Sequence, residues 1–170
     1  MNFRRWLLVG LVALGGSGCA GYKPGPVNGL TAREKSVQIN PFTNRTLEPS
    51  LGDAVTTQLR QEVQRDGTFQ LASHNDGDIV VSGVVTHYVR VQVSASATDV
   101  LTTVDYRLDI RAQVTARDRS TGKVIFDQSV TGKTLMRVTN DLTSAERQSL
   151  PLLADDLAKN VTTLLAEGPW

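Results

Sequence analysis

Apolar residues recur at helical spacing in two stretches of the chain. The first stretch has Leu51, Val55, Leu59 and Val63. The second has Leu150, Leu153, Leu157, Val161 and Leu164. A single apolar stripe on a polar stretch is typical of a helix that packs on a core. We therefore expect one helix over 51–66, ended by Gly67, and a second helix near the C-terminus.

The start of the second helix carries two competing signals. Thr143 and Glu146 have the spacing of a capping box, which favours a start at Ser144. Pro151 would then lie inside the helix, where proline removes a backbone hydrogen bond. The sequence leaves open a kink at Pro151 or a new start with Ser149 as the cap.

Alternating apolar and polar residues, the pattern of a strand, dominate the region between the helices. We expect long strands over 78–93, 104–117 and 123–138. In the middle one the even positions are apolar and the odd ones polar, which indicates an antiparallel sheet with one face in water. The first has apolar residues on both faces, so we expect it to be central. A short strand over 36–40, an edge segment at 69–71 and a loop over 41–50 complete the prediction.

The predicted order is strand, helix, three long strands, helix. The economical arrangement is an α+β fold, with two helices packed on one face of a mostly antiparallel sheet of about four strands. We expect this single domain to span 34–170. Glycines and prolines over 19–33 predict an extended tether before it.

The first residues have the pattern of a secretory signal peptide over 1–18. Arg4 and Arg5 precede an apolar run at 6–14, and small residues follow it. The run is shorter than the roughly 20 residues that span a bilayer, which disfavours a permanent membrane helix. Cys19 directly after the small residues indicates a lipobox, although Gly16 stands where that motif usually has leucine. We expect Cys19 to be lipidated; the alternative is a buried free cysteine.

Composition and charge exclude several classes of function. Without residues 1–18 the chain has 152 residues, with 16 basic and 17 acidic side chains. A net charge of −1 gives no general attraction to nucleic acid. With Cys19 as the only cysteine, no internal disulfide forms. His74 and His87 have no further ligand at metal-binding spacing, so we expect no metal, no cofactor and no enzymatic activity.

Several segments in one order resemble the lipopolysaccharide-assembly lipoprotein family LptE. They are the signal and Cys19, the Pro-Phe-x-Asn-Arg-Thr motif at 41–46, the helix ending at Gly67, the strand segments 77–88 and 106–108, the turn at 118–125 and the closing helix. The resemblance implies a plug and partner of the LptD β-barrel, lipid-anchored on the periplasmic side of the outer membrane, in lipopolysaccharide transport. Ala20, which is not acidic, fits sorting to that membrane. Related lipoproteins keep an alternative open: an adaptor of a secretion pore or of a cell-wall synthase, of the curli-secretion, TolB-like or penicillin-binding-protein-activator type.

One row of charges is a candidate contact for lipopolysaccharide. Residues two apart on a strand share a face, so Arg107, Arg111 and Arg117 form a row that also contains Asp105 and Asp109. We expect Lys133 and Arg137 on the neighbouring strand. The row has two interpretations: cross-strand pairing on a wet face, or a phosphate site in which arginine provides two hydrogen bonds. For the second, the candidate residues are Arg107, Arg111, Lys133 and Arg137.

Overall fold

The computed structural model describes residues 34–94, 104–138 and 141–168. The strands are β1 (Ser36–Ile39), β2 (Thr43–Asn44), β3 (Gln70–Leu71), β4 (Ile79–Ser94), β5 (Val104–Asp118) and β6 (Val124–Val138). The helices are α1 (Leu51–Asp66) and α2 (Leu142–Ala166). The predicted signal peptide, Cys19 and the tether lie outside these residues.

All the strands belong to one sheet with the order β3-β1-β4-β5-β6, and β2 also pairs with β4. The pairs β4–β5 and β5–β6 are long antiparallel ladders. The short strands β1 and β2 run parallel to β4, and β3 runs parallel to β1. The α+β class is confirmed, and β4 has strands on both sides as expected.

The predicted count of about four strands is wrong. The described sheet has six, and it is mixed. The extra pairings involve β2 and β3, each of two residues, which are too short to show an alternating pattern. The segment predicted as a loop over 41–50 contains β2, because Pro41 ends β1 without ending the contact of the chain with β4.

Helix α1 has the predicted bounds. Its buried stripe comprises Leu51, Val55, Leu59 and Val63. Gly67 follows in the left-handed conformation, with φ of 74°, and its N–H donates to the Val63 carbonyl. Glycine adopts that conformation without a steric cost from Cβ, so it ends the helix.

Helix α2 starts earlier than predicted. Asp141 is the N-cap, and its carboxylate accepts hydrogen bonds from the N–H groups of Thr143 and Ser144. The expected cap at Thr143 and the expected new start after Ser149 are therefore wrong. Pro151 lies inside one continuous helix. The Pro151 side chain is exposed to solvent. The backbone carbonyl one turn earlier, which has no proline N–H to bond to, therefore lies on the solvent side of the helix, where water can donate a hydrogen bond to it.

Both helices pack on one face of the sheet. The core includes Leu59 of α1, Leu157 of α2 and the even residues 108–116 of β5, all buried. Helix α2 comes very close to β6 at Gly132, where a Cβ atom would lie 2.7 Å from the backbone nitrogen of Leu157. Glycine at this position therefore sets the distance between the helix layer and the sheet.

A bulge in β4 changes which residues face the helices. Val85 pairs with Ala112, but the next pair is His87 with Arg111, so Thr86 is the extra residue. Before the bulge the odd residues, such as Val81 and Val85, are buried. After it the even residue Tyr88 pairs with buried Ile110, so Val89 and Val91 lie on the opposite face. A second irregularity lies between Gln92 and Ser94, where Val93 is the extra residue.

Candidate functional site: the open face of the sheet

We call the sheet face that lies away from the helices the open face. Beyond the bulge, its residues come from three neighbouring strands. Strand β4 provides His87, Val89 and Val91; β5 provides Asp105, Arg107, Asp109 and Arg111; β6 provides Thr131, Lys133, Leu135 and Arg137. The four basic residues singled out from the sequence thus lie on one face of two paired strands.

The register fixes which of these side chains are neighbours. Lys133 lies opposite Asp109, and Arg111 opposite Thr131. Leu135 lies opposite Arg107, and that pair is flanked on β4 by Val91. Opposite positions on antiparallel strands bring side chains within contact distance. The face therefore mixes cations with apolar side chains rather than carrying a purely charged row.

Two of the four cations are already paired with carboxylates. The Arg107 Nε atom lies 3.0 Å from Asp109 Oδ2, and Arg137 Nε lies 2.9 Å from Asp105 Oδ1. The hydrogen bond that Arg137 donates to Asp105, and then the charge of Asp105, raise the pKa of the Arg137 guanidinium. Among the described residues, neither Arg111 nor the Lys133 ammonium has an ion-pair partner within 4 Å. These two cations are the ones available to an anionic ligand.

A shallow cavity of about 340 Å³ lies where these two cations meet the bulge. It is lined by His87, Val89, Asp109, Ile110, Arg111, Thr131 and Lys133. The Oδ1 atom of Asp109 is buried there without a hydrogen-bond partner in the described structure. The cavity thus combines two free cations with one unsatisfied acceptor and the side of an exposed valine.

The exposed apolar residues beside the cavity were not predicted from the sequence. Val89, Val91 and Val93 are 48%, 37% and 47% exposed, and Leu135 is 69% exposed. The strand predicted over 78–93 has apolar residues on both faces and was expected to be central, so exposed valines were not expected there. A bulge leaves no signal in a strand that has apolar residues at both parities, so the change of face was not visible.

Arg117, the last basic residue of the predicted row, lies at the far end of β5. It is paired with Val124 in the ladder, and its guanidinium donates to the Gly122 carbonyl at 2.8 Å. It therefore braces the β5–β6 turn and is separate from the cavity.

A second cavity, of about 620 Å³, lies beside β4 on the side of the loop that precedes α1. Tyr88 donates a hydrogen bond to Glu146 of α2, and the Arg90 guanidinium lies 2.7 Å from the same carboxylate. Burial, followed by the hydrogen bond to Glu146, raises the pKa of the Tyr88 phenol. This trio fastens the far part of β4 to the first turns of α2.

Within residues 34–94, 104–138 and 141–168, no group of three His, Cys, Asp or Glu side chains is arranged to hold a metal ion. His87 Nδ1 lies 3.0 Å from the Thr86 hydroxyl, at the bulge. No helix in this part of the chain is long and apolar enough to cross a membrane.

These features define a small α+β domain with its helices on one side and an amphipathic sheet face on the other. The chain belongs to the LptE family: the family model, described as lipopolysaccharide-assembly, matches residues 34–165. This confirms the resemblance noted in the sequence. The family is one of non-enzymatic outer-membrane lipoproteins.

Several solved structures are similar to this chain at low sequence identity. A hypothetical protein from Chlamydia trachomatis is 10% identical with a TM-score of 0.55, over 78% of this chain and 95% of that one. A protein from Xanthomonas campestris is 11% identical with a TM-score of 0.50, over 80% and 88%. A minor lipoprotein from Acinetobacter baumannii is 21% identical with a TM-score of 0.45, over 78% and 92%. No curated protein matches the chain.

Proposed function

We propose that this protein is a lipoprotein, anchored through Cys19 on the periplasmic side of the outer membrane, that plugs an LptD-like β-barrel and helps to deliver lipopolysaccharide to the outer leaflet. Membership of the lipopolysaccharide-assembly family supports the pathway. The basic, apolar and small-residue pattern that ends at Cys19 supports the anchor. Several acyl chains on one cysteine make attachment effectively permanent, since each buried methylene contributes about 0.8 kcal/mol.

The observation that carries the lipopolysaccharide part of the proposal is the pair of free cations, Arg111 and Lys133, beside exposed Val89 and Leu135. Lipopolysaccharide is amphipathic, with phosphates next to acyl chains. An arginine fork can hold a phosphate through two hydrogen bonds, and a lysine adds a point charge. The neighbouring apolar side chains offer a surface to the acyl chains.

The ion pairs divide the four candidate residues into two groups. Arg111 and Lys133 bind an anion without first breaking a pair. Arg107 and Arg137 must give up Asp109 and Asp105. Both pairs are exposed and therefore weak, so an anion can displace either carboxylate at little cost, and Arg107 and Arg137 are the secondary contacts.

The first experiment measures lipopolysaccharide affinity of residues 20–170 with charge-reversed variants. Arg111→Glu with Lys133→Glu should weaken binding by about tenfold or more, because each charged hydrogen bond is worth about 1.5–3 kcal/mol. Lys123→Glu with Arg147→Glu is the matched control, since both residues are exposed, lie away from the cavity and give the same change in net charge. Equal losses in the two double variants would show a general charge effect and no site.

The second experiment identifies the partner. Protein extracted from membranes should co-purify with a large β-barrel, whether or not the open-face charges are reversed. Recovery of an inner-membrane synthase, or of a ring of copies of this chain, would support the adaptor function instead.

A further inference from the structure

The two cavities described above are neighbours and share part of their walls. His87 and Val89 of β4 line both of them. From these residues the first cavity continues across β5 to β6, and the second continues to Arg45 and the loop before α1. Because their walls meet at these two residues, the cavities form one groove across β4, which we call the cross-strand groove.

Arg45 lies on the open-face side of this groove. Asn44 of β2 pairs with buried Val85, and a Cβ added at Gly52 of α1 would lie 3.4 Å from the Asn44 Cβ. Asn44 therefore faces the helices. The Arg45 N–H still donates to the Val85 carbonyl at 3.0 Å, and successive residues along a strand point to opposite faces. The Arg45 side chain therefore points to the face that carries Arg111.

The guanidinium of Arg45 is available to a ligand. Its side chain is exposed, and among residues 34–94, 104–138 and 141–168 no carboxylate lies within 4 Å of the guanidinium. Arg90, the other cation that lines the second cavity, is held 2.7 Å from the Glu146 carboxylate. Arg45 is therefore the cation that this part of the groove offers to an anion.

The acid Glu48 also lines the second cavity, but its charge acts on the other side of the sheet. Burial, then Glu146 and, less strongly, the charge of Glu48 raise the pKa of the Tyr88 phenol. Tyr88 faces the helices, so Glu48 lies toward the helix side, whereas Arg45 points to the open face.

The spacing of the strands sets the distance between the cations of the groove. From β2 through β4 to β5 there are two steps of about 4.8 Å, so the Cα atoms of Arg45 and Arg111 lie about 10 Å apart. His87 pairs with Arg111 in the ladder and lies between the two arginines.

Both ends of the cross-strand groove have the same chemistry. At one end Leu47, which is fully exposed, follows Arg45 by two residues in the cavity wall. At the other end Leu135, which is 69% exposed, follows Lys133 by two residues on β6. A ligand that matches both ends carries two anionic groups some distance apart, each of them next to an apolar chain.

We propose that Arg45 is a second anion subsite, so that lipid A, the diphosphorylated disaccharide of lipopolysaccharide, binds one phosphate at Arg45 and the other at Arg111 and Lys133. This inference rests on the proposed function and deepens it, because it assigns both phosphates of one ligand. The disaccharide crosses β4 over His87 and Val89. An arginine fork holds a phosphate through two hydrogen bonds, and the second contact is intramolecular once the first has formed.

A cycle that changes one residue and one phosphate tests the assignment. The affinity of the full-length chain, purified in detergent, is measured for diphosphorylated and for monophosphorylated lipid A. Arg45→Ala should weaken binding of the diphosphorylated lipid by about fivefold or more, because one charged contact is lost. The same variant should leave binding of the monophosphorylated lipid almost unchanged, since its single phosphate binds where two cations meet, at Arg111 and Lys133. Arg45→Lys keeps the charge and should recover part of the loss.

Two further variants separate the subsite from the proposed function. Arg147→Ala is the matched control, because it removes the same charge from an exposed residue that lines neither cavity, and it should leave both affinities unchanged. Arg111→Ala with Lys133→Ala should weaken binding of both lipids. If it does, while Arg45→Ala affects the two lipids equally or affects neither, the subsite is overturned and the proposed function stands. A wild-type chain that binds neither lipid would overturn both.

Discussion

At the scale of single residues, the Pro-Phe-x-Asn-Arg-Thr motif has a structural role. The ring of Phe42 lies over Gly83, where an added Cβ would be 2.1 Å from a ring carbon. The Phe42 N–H donates to the Thr56 hydroxyl of α1 at 2.9 Å. The Asn44 side chain donates to the Glu48 carbonyl at 2.6 Å and accepts from the Thr46 N–H at 2.9 Å. The motif therefore fastens the loop before α1 to the sheet and to the helix.

Asp118 is expected to make the free energy of unfolding depend on pH. Its carboxylate accepts hydrogen bonds from the Ser120 hydroxyl, the Thr121 N–H and the Thr121 hydroxyl, at 2.7, 2.9 and 3.0 Å. These bonds, that from Ser120 first, lower the pKa of Asp118 from 3.8 to about 2. A group with a lowered pKa in the fold stabilises it above the unfolded pKa, and that stabilisation is lost as the pH falls through the folded pKa.

We therefore expect the free energy of unfolding to fall between pH 3.8 and about 2, and to fall less steeply in Asp118→Asn. Ser120→Ala, which removes the largest contribution, should give an intermediate slope. Urea denaturation of residues 20–170 at a series of pH values measures this. Some slope should remain in every variant, because hydrogen bonds from Ser36 also lower the pKa of Asp78. Parallel curves for wild type and Asp118→Asn would contradict the assignment.

At the scale of elements, the helices and strands with a long, unbroken hydrophobic repeat are the ones that the sequence predicted correctly. Helix α1 has a regular stripe and a glycine stop, and β5 has strict alternation, so both were predicted within a residue of their observed bounds. The predicted start of α2 was wrong because Asp141 and Thr143 are both suitable N-cap residues, and spacing alone does not show which of them caps the helix. The two-residue strands and the bulge at Thr86 depend on pairing with distant residues, which a local pattern does not contain.

The same limit applies to the candidate site. The sequence predicted that Arg107 and Arg111 share one face of a strand, because a two-residue period is local information, and it placed Lys133 and Arg137 on the neighbouring strand. It did not predict that Arg107 and Arg137 are neutralised by Asp109 and Asp105, or that Val89 and Val91 of β4 lie beside the basic residues. Those facts depend on register, which is set when the strands pair.

The helix stripes give a prediction for stability. Leu59 and Leu157 are fully buried at the centres of α1 and α2. Truncation of either to alanine should lower the free energy of unfolding by about 2–5 kcal/mol, the cost of lost burial and of the cavity left behind. Thr57→Ala and Lys159→Ala are controls on the outer faces and should change it by less than about 0.5 kcal/mol, although Lys159 pairs with Asp155 at 2.8 Å. Urea melts that show equal losses at all four positions would mean that the two faces are assigned wrongly.

At the scale of the whole molecule, the fold separates two surfaces with different chemistry. The helix layer closes the core on one side, and α2 also protects the edge of β6. Within the described residues, the open face remains accessible on the other side of the sheet. A domain proposed to sit inside a barrel and to bind an amphipathic glycolipid needs both a rigid core and a surface of mixed polarity.

The last prediction concerns the anchor, which determines where these surfaces act. If Cys19 is the lipid acceptor, a fatty-acid probe should label the wild-type chain in cells, and Cys19→Ala should lose the label and leave the membrane fraction or keep residues 1–18. Ser17→Thr, a substitution at the neighbouring small residue that keeps the thiol, is the control and should retain label. Equal labelling of wild type and Cys19→Ala would exclude Cys19 as the site of attachment. Loss of label with unchanged membrane association would instead mean that another contact, such as the barrel partner, holds the protein at the membrane.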